Sequence, residues 1–268
     1  MHRIVLNTAK NGQLELKKLI DAKADIETKD EEGYTPLILS VFGGHTACVR
    51  MLIRAKANLE AKNHNGYNAL LWASYSGHTE SVQLLLDAKA KPDVADSSGY
   101  TPLHWCVRRG YVACTRALVK AKANLEITCN DGLTALLSAV HNSRPECARV
   151  LLEAKANVEA KSNKGNSAIY RAALDGDAEL LQLVLSAKAD IETRNPTGFT
   201  PLHAAIFSED AECLQLLLAT KANPEAEDEN GRTALMCAAQ NVIPDTLRLI
   251  LSALMARASG PAPRTIRH

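Results

Sequence analysis

The sequence has few aromatic side chains and almost no net charge. Two Trp, six Tyr and three Phe make up only 4% of its 268 residues. Ala and Leu supply most of the apolar side chains, and both are strong helix formers. The composition therefore favours closely packed helices over a core built around large rings. A formal charge of +1 gives no overall field that would attract nucleic acid or an anionic membrane, so any electrostatic effect has to be local.

Long apolar segments and signs of secretion are also missing. No apolar run approaches the roughly 18 residues that span a bilayer, and the start, MHRIVLNTAKNG, contains no secretory hydrophobic region. Seven Cys are an odd number for a disulfide framework, and the triplet Asn195–Thr197 is spoiled as a glycosylation site by its central Pro. We expect a protein without membrane insertion in a reducing intracellular compartment, first the cytoplasm, with the nucleus as an alternative.

Glycine recurs at an unbroken interval of 33 residues. The glycines of this series are Gly33, Gly66, Gly99, Gly132, Gly165, Gly198 and Gly231. Two residues after each one stands Thr, Ser or Asn, then Pro or Ala, then Leu or Ile, which is typical of a capped helix start. A second apolar segment follows in each unit, for example Val82–Leu86. The sequence therefore predicts repeats of helix, turn and helix, joined by turns that are rich in Asp, Asn and Gly.

Two segments carry a specific family resemblance. Gly99–His104, which reads GYTPLH, and Gly198–Ala205, which reads GFTPLHAA, resemble the ankyrin repeat in both length and signature. The resemblance covers roughly residues 2–257. It implies an all-α repeat solenoid in which antiparallel helix pairs stack and a β-hairpin loop projects from each junction. It also implies that partners bind a concave face formed by the loops and the first helices.

The repeat register divides the chain into one predicted domain, residues 1–257. A helix pair at 2–29, with helices over Ile4–Lys10 and Leu14–Ala22, precedes the repeats. The repeats are expected at 30–62, 63–95, 96–128, 129–161, 162–194, 195–227 and 228–257. The last one should end in a capping helix that begins near Pro244, because Leu254 and Met255 replace the usual Lys-Ala. Residues 258–268, with two Pro and one Gly, are predicted to be a disordered tail.

Two charged rows depart from the family pattern. Lysine stands where the family usually has the glycine that closes the second helix, and an acid follows four residues later. The lysines are Lys23, Lys56, Lys89, Lys122, Lys155, Lys188 and Lys221. The acids are Glu27, Glu60, Asp93, Glu126, Glu159, Glu192 and Glu225. A left-handed lysine costs about 1 kcal/mol relative to glycine, so either this turn is strained or it takes another shape. We favour a solvated row copied by repeat duplication over an edge that recognises a partner.

The cysteines and histidines follow the repeat rather than a catalytic pattern. Four cysteines share one position on the inner side of the second helix and are predicted to be core residues: Cys48, Cys114, Cys147 and Cys213. Cys129, in a hairpin, is expected to be exposed. The resemblance implies that His104 and His203 tie a helix start to neighbouring backbone. Because the chain has no nucleophile–base set, zinc spacing or phosphate-binding loop, we predict no enzymatic activity, no cofactor, no metal site and no small-molecule substrate.

Most of the aromatic residues fall at three positions of the repeat, which the resemblance places on the concave face or its floor. Two arginines follow them on the same face. The predicted partner-binding residues are Tyr34, Phe42, Tyr67, Trp72, Tyr75, Tyr100, Trp105, Arg108 and Arg109. Tyr, Trp and Arg are the residue types that most often carry binding energy. The alternative is structural: the tryptophans fill the groove between first helices and the tyrosines brace the hairpins.

These patterns predict a scaffold or adaptor that binds an unknown protein partner on its concave face. A regulatory or substrate-recognition subunit of an enzyme complex is the main alternative, because ankyrin-like repeats serve as a general binding frame. Nucleic-acid binding is less favoured, since the acids interleaved with the lysines offset most of their field.

Overall fold

The computed structural model describes residues 15–240 and 244–258 of the chain. The predicted helix over Ile4–Lys10 and residues 259–268 of the predicted tail lie outside these residues. Ala258, which was predicted to begin the tail, instead ends the last helix. The exposed Arg257 lies one residue earlier and donates to the carbonyl oxygens of Lys221 and Ala222, at 3.0 and 3.1 Å. The last helix thus forms hydrogen bonds with the preceding repeat close to its C-terminal end.

The described residues form fifteen α-helices, divided between two compact units. In the first unit, Met1–Asn157, they are α1 (Glu15–Asp21), α2 (Pro36–Phe42), α3 (Thr46–Arg54), α4 (Ala69–Ser76), α5 (Thr79–Asp87), α6 (Pro102–Arg109), α7 (Val112–Lys120), α8 (Ala135–His141) and α9 (Pro145–Glu153). In the second unit, Val158–His268, they are α10 (Ala168–Asp175), α11 (Ala178–Ser186), α12 (Pro201–Phe207), α13 (Ala211–Ala219), α14 (Ala234–Gln240) and α15 (Pro244–Ala258).

The predicted helix starts are confirmed by their hydrogen bonds. The hydroxyl of Thr35 accepts from the N–H of Ile38 at 3.4 Å, and the side-chain oxygen of Asn68 accepts from the N–H of Leu71 at 2.9 Å. These side chains satisfy donors that the first turn of a helix leaves free. Short first helices can therefore begin at the same position in successive repeats.

The loops between repeats are turns rather than β-hairpins. In the described ranges, pairing is limited to two isolated antiparallel bridges, Lys161 with Ser167 and Glu227 with Thr233. A typical loop closes through two hydrogen bonds: Gly33 N–H donates to Asp30 O at 3.0 Å, and Asp30 N–H donates to Tyr34 O at 3.1 Å. The expectation of projecting β-hairpins is thus corrected to tight turns, because the next helix begins soon after the loop glycine, as at Pro36 after Gly33, and leaves no room for a longer ladder.

Stacking within each unit follows the order of the repeats. In the first unit the first helices α2, α4, α6 and α8 pack side by side, and the second helices α3, α5, α7 and α9 do the same. The Leu of the repeated motif lies at the centre of the stack and is almost fully buried in each copy, at Leu37, Leu70, Leu103 and Leu136. Each helix pair buries its apolar face only against its neighbours, as in other repeat folds.

The lysines that close the second helices adopt the left-handed backbone conformation in every repeat. Their φ angles run from 54° at Lys23 to 71° at Lys89 and Lys221, and all seven lysines are exposed. In a typical turn, Lys56 N–H donates to Ile53 O and Ala57 N–H donates to Leu52 O, both at 3.0 Å. This is the pattern in which the family resemblance implies glycine. Of the two alternatives left open by the sequence, the strained turn is therefore the one that forms.

The acidic row joins each repeat to the next one. In the first unit, Glu27, Glu60, Asp93 and Glu126 each accept a hydrogen bond, at 2.8 to 2.9 Å, from the backbone N–H found 31 residues later. In the second unit, Glu159 and Glu192 do the same at 2.8 and 2.7 Å. Interpreting this row as merely solvated is wrong, because its carboxylates form a hydrogen-bonded ladder between repeats.

Glu60 is the position of the ladder at which we predict an effect on stability. Its carboxylate accepts from Lys91 N–H at 2.8 Å and from the side-chain amide of Asn68 at 3.2 Å. We expect Glu60→Ala to lower the free energy of unfolding by about 1 kcal/mol, because solvent can replace only part of these bonds. Glu60→Gln is the matched comparison, since it keeps an oxygen for Lys91 N–H but turns an amide nitrogen toward the Asn68 amide, so we expect a smaller loss than for Glu60→Ala. Urea unfolding of the two variants checks the prediction, and an equal loss in both would contradict the role as an acceptor.

Candidate protein-binding surface

The seven aromatic residues predicted for the binding site form one continuous cluster in the first unit. Trp72, on α4, lies at its centre. Its ring centroid is 5.2 Å from that of Tyr67, 5.3 Å from Phe42, 5.5 Å from Tyr75 and 6.0 Å from Tyr34. The contacts are tilted or edge-to-face, which are the arrangements that ring quadrupoles favour.

Trp105, on α6, extends the same cluster by one repeat. Its ring centroid lies 5.0 Å from both Tyr75 and Tyr100, and 6.3 Å from Tyr67. Three successive repeats thus contribute rings to a single surface beside their first helices. We call the seven rings, together with Arg108 and Arg109, the aromatic cluster.

The two arginines lie over the rings at one end of the aromatic cluster. The guanidinium carbon of Arg108 is 5.4 Å from the ring centroid of Tyr100, and its Nη1 donates to the Tyr100 hydroxyl at 3.1 Å. The guanidinium carbon of Arg109 is 4.4 Å from the ring centroid of Tyr75. Both arginines are exposed. The cation–π contacts hold them in place without removing their charge from solvent.

Burial divides the aromatic cluster into a packed floor and an exposed rim. Trp72 and Trp105 are half-buried between first helices, as the structural interpretation expected. Phe42, at the opposite end from the arginines, leaves 51% of its surface exposed. The structure brings all nine predicted residues together, and the rim of Phe42, Arg108 and Arg109 is free to contact another molecule.

A buried carboxylate anchors the second tryptophan. Asp96 is 9% exposed, and its Oδ2 accepts from Trp105 Nε1 at 2.9 Å. Its Oδ1 accepts from the N–H groups of Ser98 and Tyr100, at 2.9 and 3.0 Å, which also shapes the loop. Burial, and then the nearby Asp96 carboxylate, raise the pKa of Tyr67. Asp96 was not among the predicted site residues, although its position nine residues before a tryptophan could have indicated this contact.

The preceding repeat has Asn63 at the position of Asp96, and the contact is not reproduced. Asn63 Oδ1 accepts from the N–H groups of Asn65 and Tyr67, at 3.1 and 2.9 Å. Its amide nitrogen Nδ2 and the indole Nε1 of Trp72 are both buried and have no hydrogen-bond partner among the described residues. At the positions where Asp96 and Trp105 supply an acceptor and a donor, Asn63 and Trp72 therefore supply two donors.

The histidines of the repeated motif are structural, as predicted. His104 Nδ1 accepts from Thr101 N–H at 3.3 Å, so its Nε2 carries the proton and donates to Leu133 O at 2.9 Å. His203 makes the equivalent bonds in the second unit, to Thr200 N–H at 3.3 Å and Arg232 O at 3.2 Å. Burial lowers the pKa of both imidazoles, which keeps them neutral and committed to the backbone.

All seven cysteines are buried, including the four predicted core residues. The expectation that Cys129 is exposed is wrong, because only 4% of its surface is accessible. Cys129 occupies the first loop position, where Asp96 and Asn63 also turn their side chains inward. Across the part of the chain that the structure describes, no group of His, Cys, Asp or Glu could hold a metal ion, and no helix is long and apolar enough to cross a membrane.

The second unit carries a smaller aromatic pair that was not among the predicted binding residues. The ring centroids of Phe199 and Phe207 are 5.3 Å apart, and Phe207 is 41% exposed. Arg232 lies 5.5 Å from the Phe199 ring centroid, but Asp228 pairs with it at 2.7 Å. Its charge is therefore neutralised within the repeat, whereas no carboxylate of the described residues forms an ion pair with Arg108 or Arg109.

Comparisons with known proteins agree with this architecture. No curated protein matches the chain. Many solved structures do, and one is the crystal structure of the ankyrin repeat domain of Bcl-3, described as a unique member of the IkappaB protein family. That domain is 28% identical with a TM-score of 0.75, and the match covers 81% of this chain and 100% of the Bcl-3 chain. The family model "Ankyrin repeats (3 copies)" matches residues 5–96, 88–162 and 169–258. The chain therefore belongs to the ankyrin-repeat family.

Proposed function

We propose that this protein is a scaffold or adaptor whose aromatic cluster binds a segment of a protein partner on the concave face of the repeats. The observation that carries the proposal is the rim: Phe42 is 51% exposed at one end of the aromatic cluster, two exposed arginines lie at the other end, and a floor of tryptophans connects them. Ankyrin repeats are a protein-interaction fold rather than a typical enzyme fold, which supports the same function. A regulatory or substrate-recognition subunit would use this surface in the same way.

The composition of the aromatic cluster suits binding energetically. Phe42 can bury its exposed surface against an apolar group of a partner. Its ring already packs against Trp72, which belongs to the floor of the aromatic cluster. Arg109 is held over Tyr75, so little side-chain freedom remains to be lost when a partner binds. Preordered aromatic and arginine side chains of this kind commonly dominate interface energies.

The test uses rim residues, because the half-buried tryptophans also support the fold. Proteins captured by the full chain are identified and then measured against the double variant Phe42→Ala/Arg109→Ala. We expect a loss of affinity of at least about fivefold, equivalent to roughly 1 kcal/mol for a residue that matters at an interface. The control is Met236→Ala, which removes an equally exposed apolar side chain (52%) from the second unit. Partners that bind both variants like the parent protein would refute the assignment.

A further inference from the structure

A third arginine joins the cationic end of the aromatic cluster. Arg144 precedes α9, and its Nε donates to the carbonyl oxygen of Arg108 at 3.3 Å. Its side chain lies across Gly110, where a Cβ atom would come within 3.1 Å of Arg144 Cδ. Gly110 also has a φ of 78°, so glycine serves both the turn and this close approach. Arg108, Arg109 and Arg144 therefore form one exposed basic group.

No described residue neutralises the charge of this group. Elsewhere in the described residues, arginines pair with carboxylates at Arg50, Arg116, Arg149, Arg171, Arg232 and Arg248. No such ion pair is formed by Arg108, Arg109 or Arg144 in the same residues. Asp96 is close, but Trp105 and the loop backbone occupy its two oxygens. Asp131 lies near Tyr100 and helps, after burial, to raise the pKa of that phenol, yet it forms no ion pair with Arg108.

The other end of the aromatic cluster has the opposite character. Phe42 is the exposed ring there, next to Tyr34 at a centroid distance of 6.5 Å. The loop before Tyr34 carries the exposed acids Glu31 and Glu32. A carboxylate on a partner would be repelled at this end and attracted at the arginine end. The two ends of the surface therefore differ in charge along the stacking direction. This difference can fix the orientation of a bound segment.

We propose that the aromatic cluster binds an acidic peptide segment of a partner protein, with an apolar side chain against Phe42 and Trp72 and carboxylates against Arg108, Arg109 and Arg144. This rests on the proposed function. First helices two repeats apart are separated by roughly 16–20 Å at ordinary packing distances. An extended chain covers that distance in about five or six residues. The apolar and acidic residues of the bound segment should show this spacing.

A random peptide library displayed on phage tests the proposal when it is selected against the full chain. We expect enrichment of peptides in which an apolar residue and one or two Asp or Glu stand five or six residues apart. A selected acidic peptide should bind the Arg108→Glu/Arg109→Glu variant at least tenfold more weakly, and a new selection on that variant should enrich Lys or Arg instead. Arg116→Glu is the control, because Arg116 is exposed on α7 and already pairs with Glu153.

The outcomes separate this inference from the proposed function. Peptides that require Phe42 but show no acidic bias, or that ignore the charge reversal at Arg108 and Arg109, would overturn the inference and leave the proposed function in place. If no peptide is enriched, or if the enriched peptides bind equally well after Phe42→Ala, both fail. A folded circular dichroism spectrum for each variant, and the neutral variant Arg108→Gln/Arg109→Gln with an intermediate affinity, exclude an indirect effect of misfolding.

Discussion

Asp96→Asn should lower the free energy of unfolding by about 1–3 kcal/mol, which is the range for leaving a buried donor without a partner. The substitution keeps an oxygen for the N–H groups of Ser98 and Tyr100, so the loop can still form. It replaces the oxygen that accepts from Trp105 Nε1 with an amide nitrogen, and two donors then face each other. One repeat earlier, Asn63 Nδ2 and Trp72 Nε1 are likewise buried donors without a hydrogen-bond partner among the described residues.

The reverse substitution, Asn63→Asp, should therefore stabilise the protein. Its carboxylate would give Trp72 Nε1 an acceptor and would keep the two loop hydrogen bonds at Asn65 and Tyr67. Three N–H donors are sufficient to satisfy a buried carboxylate, so we expect a gain of about 1 kcal/mol. Urea unfolding, followed by tryptophan fluorescence, measures both variants.

A double-mutant cycle attributes the effect to the indole N–H. Trp72→Phe removes the donor and keeps a ring in the aromatic cluster. The gain from Asn63→Asp should disappear in the Trp72→Phe background, because the new carboxylate then has no indole to accept from. The same gain in both backgrounds, or a loss of stability in the single variant, would show that the two donors of the parent protein do not face each other.

The double variant Lys89→Gly/Lys122→Gly should raise the free energy of unfolding by about 2 kcal/mol, roughly 1 kcal/mol for each residue held in the left-handed region. The φ angles are 71° at Lys89 and 62° at Lys122, and both side chains are exposed, so little packing is lost. The greater freedom of glycine in the unfolded chain subtracts part of the gain. Both lysines lie in the first unit, Met1–Asn157. For a unit of about 150 residues, this gain should raise the melting temperature by several degrees.

Lys91→Gly is the control for this prediction, because Lys91 is exposed two residues after Lys89 and does not have a positive φ. Glycine there should lower stability slightly through the entropy of the unfolded chain. A melting temperature that is unchanged or reduced in the double variant would mean that the lysines compensate for their strain, for example through the negative end of the helix dipole.

The repeat register allowed the fold to be predicted well, because one period places the starts of the first helices, the core leucines and the motif histidines. The aromatic cluster was predictable for the same reason, since Trp72 and Trp105 share a position on neighbouring first helices. The ladder of Glu60 and its equivalents was not, because its donors are backbone groups that leave no mark in the sequence. The burial of Cys129 and the position of Arg144 next to Arg108 also depend on contacts between repeats. A pattern within one repeat does not reveal such contacts.

The acidic ladder has a consequence for how such a chain can evolve. Its donor is a main-chain N–H, which is present whether the residue is Asn58, Lys91 or Asp190. A duplicated 33-residue segment would bring its own acceptor and find a donor in any neighbour except proline. Copies could then be gained, lost or reordered in the gene without a compensating substitution, and the remaining positions of the surface would be left free to diverge toward new partners.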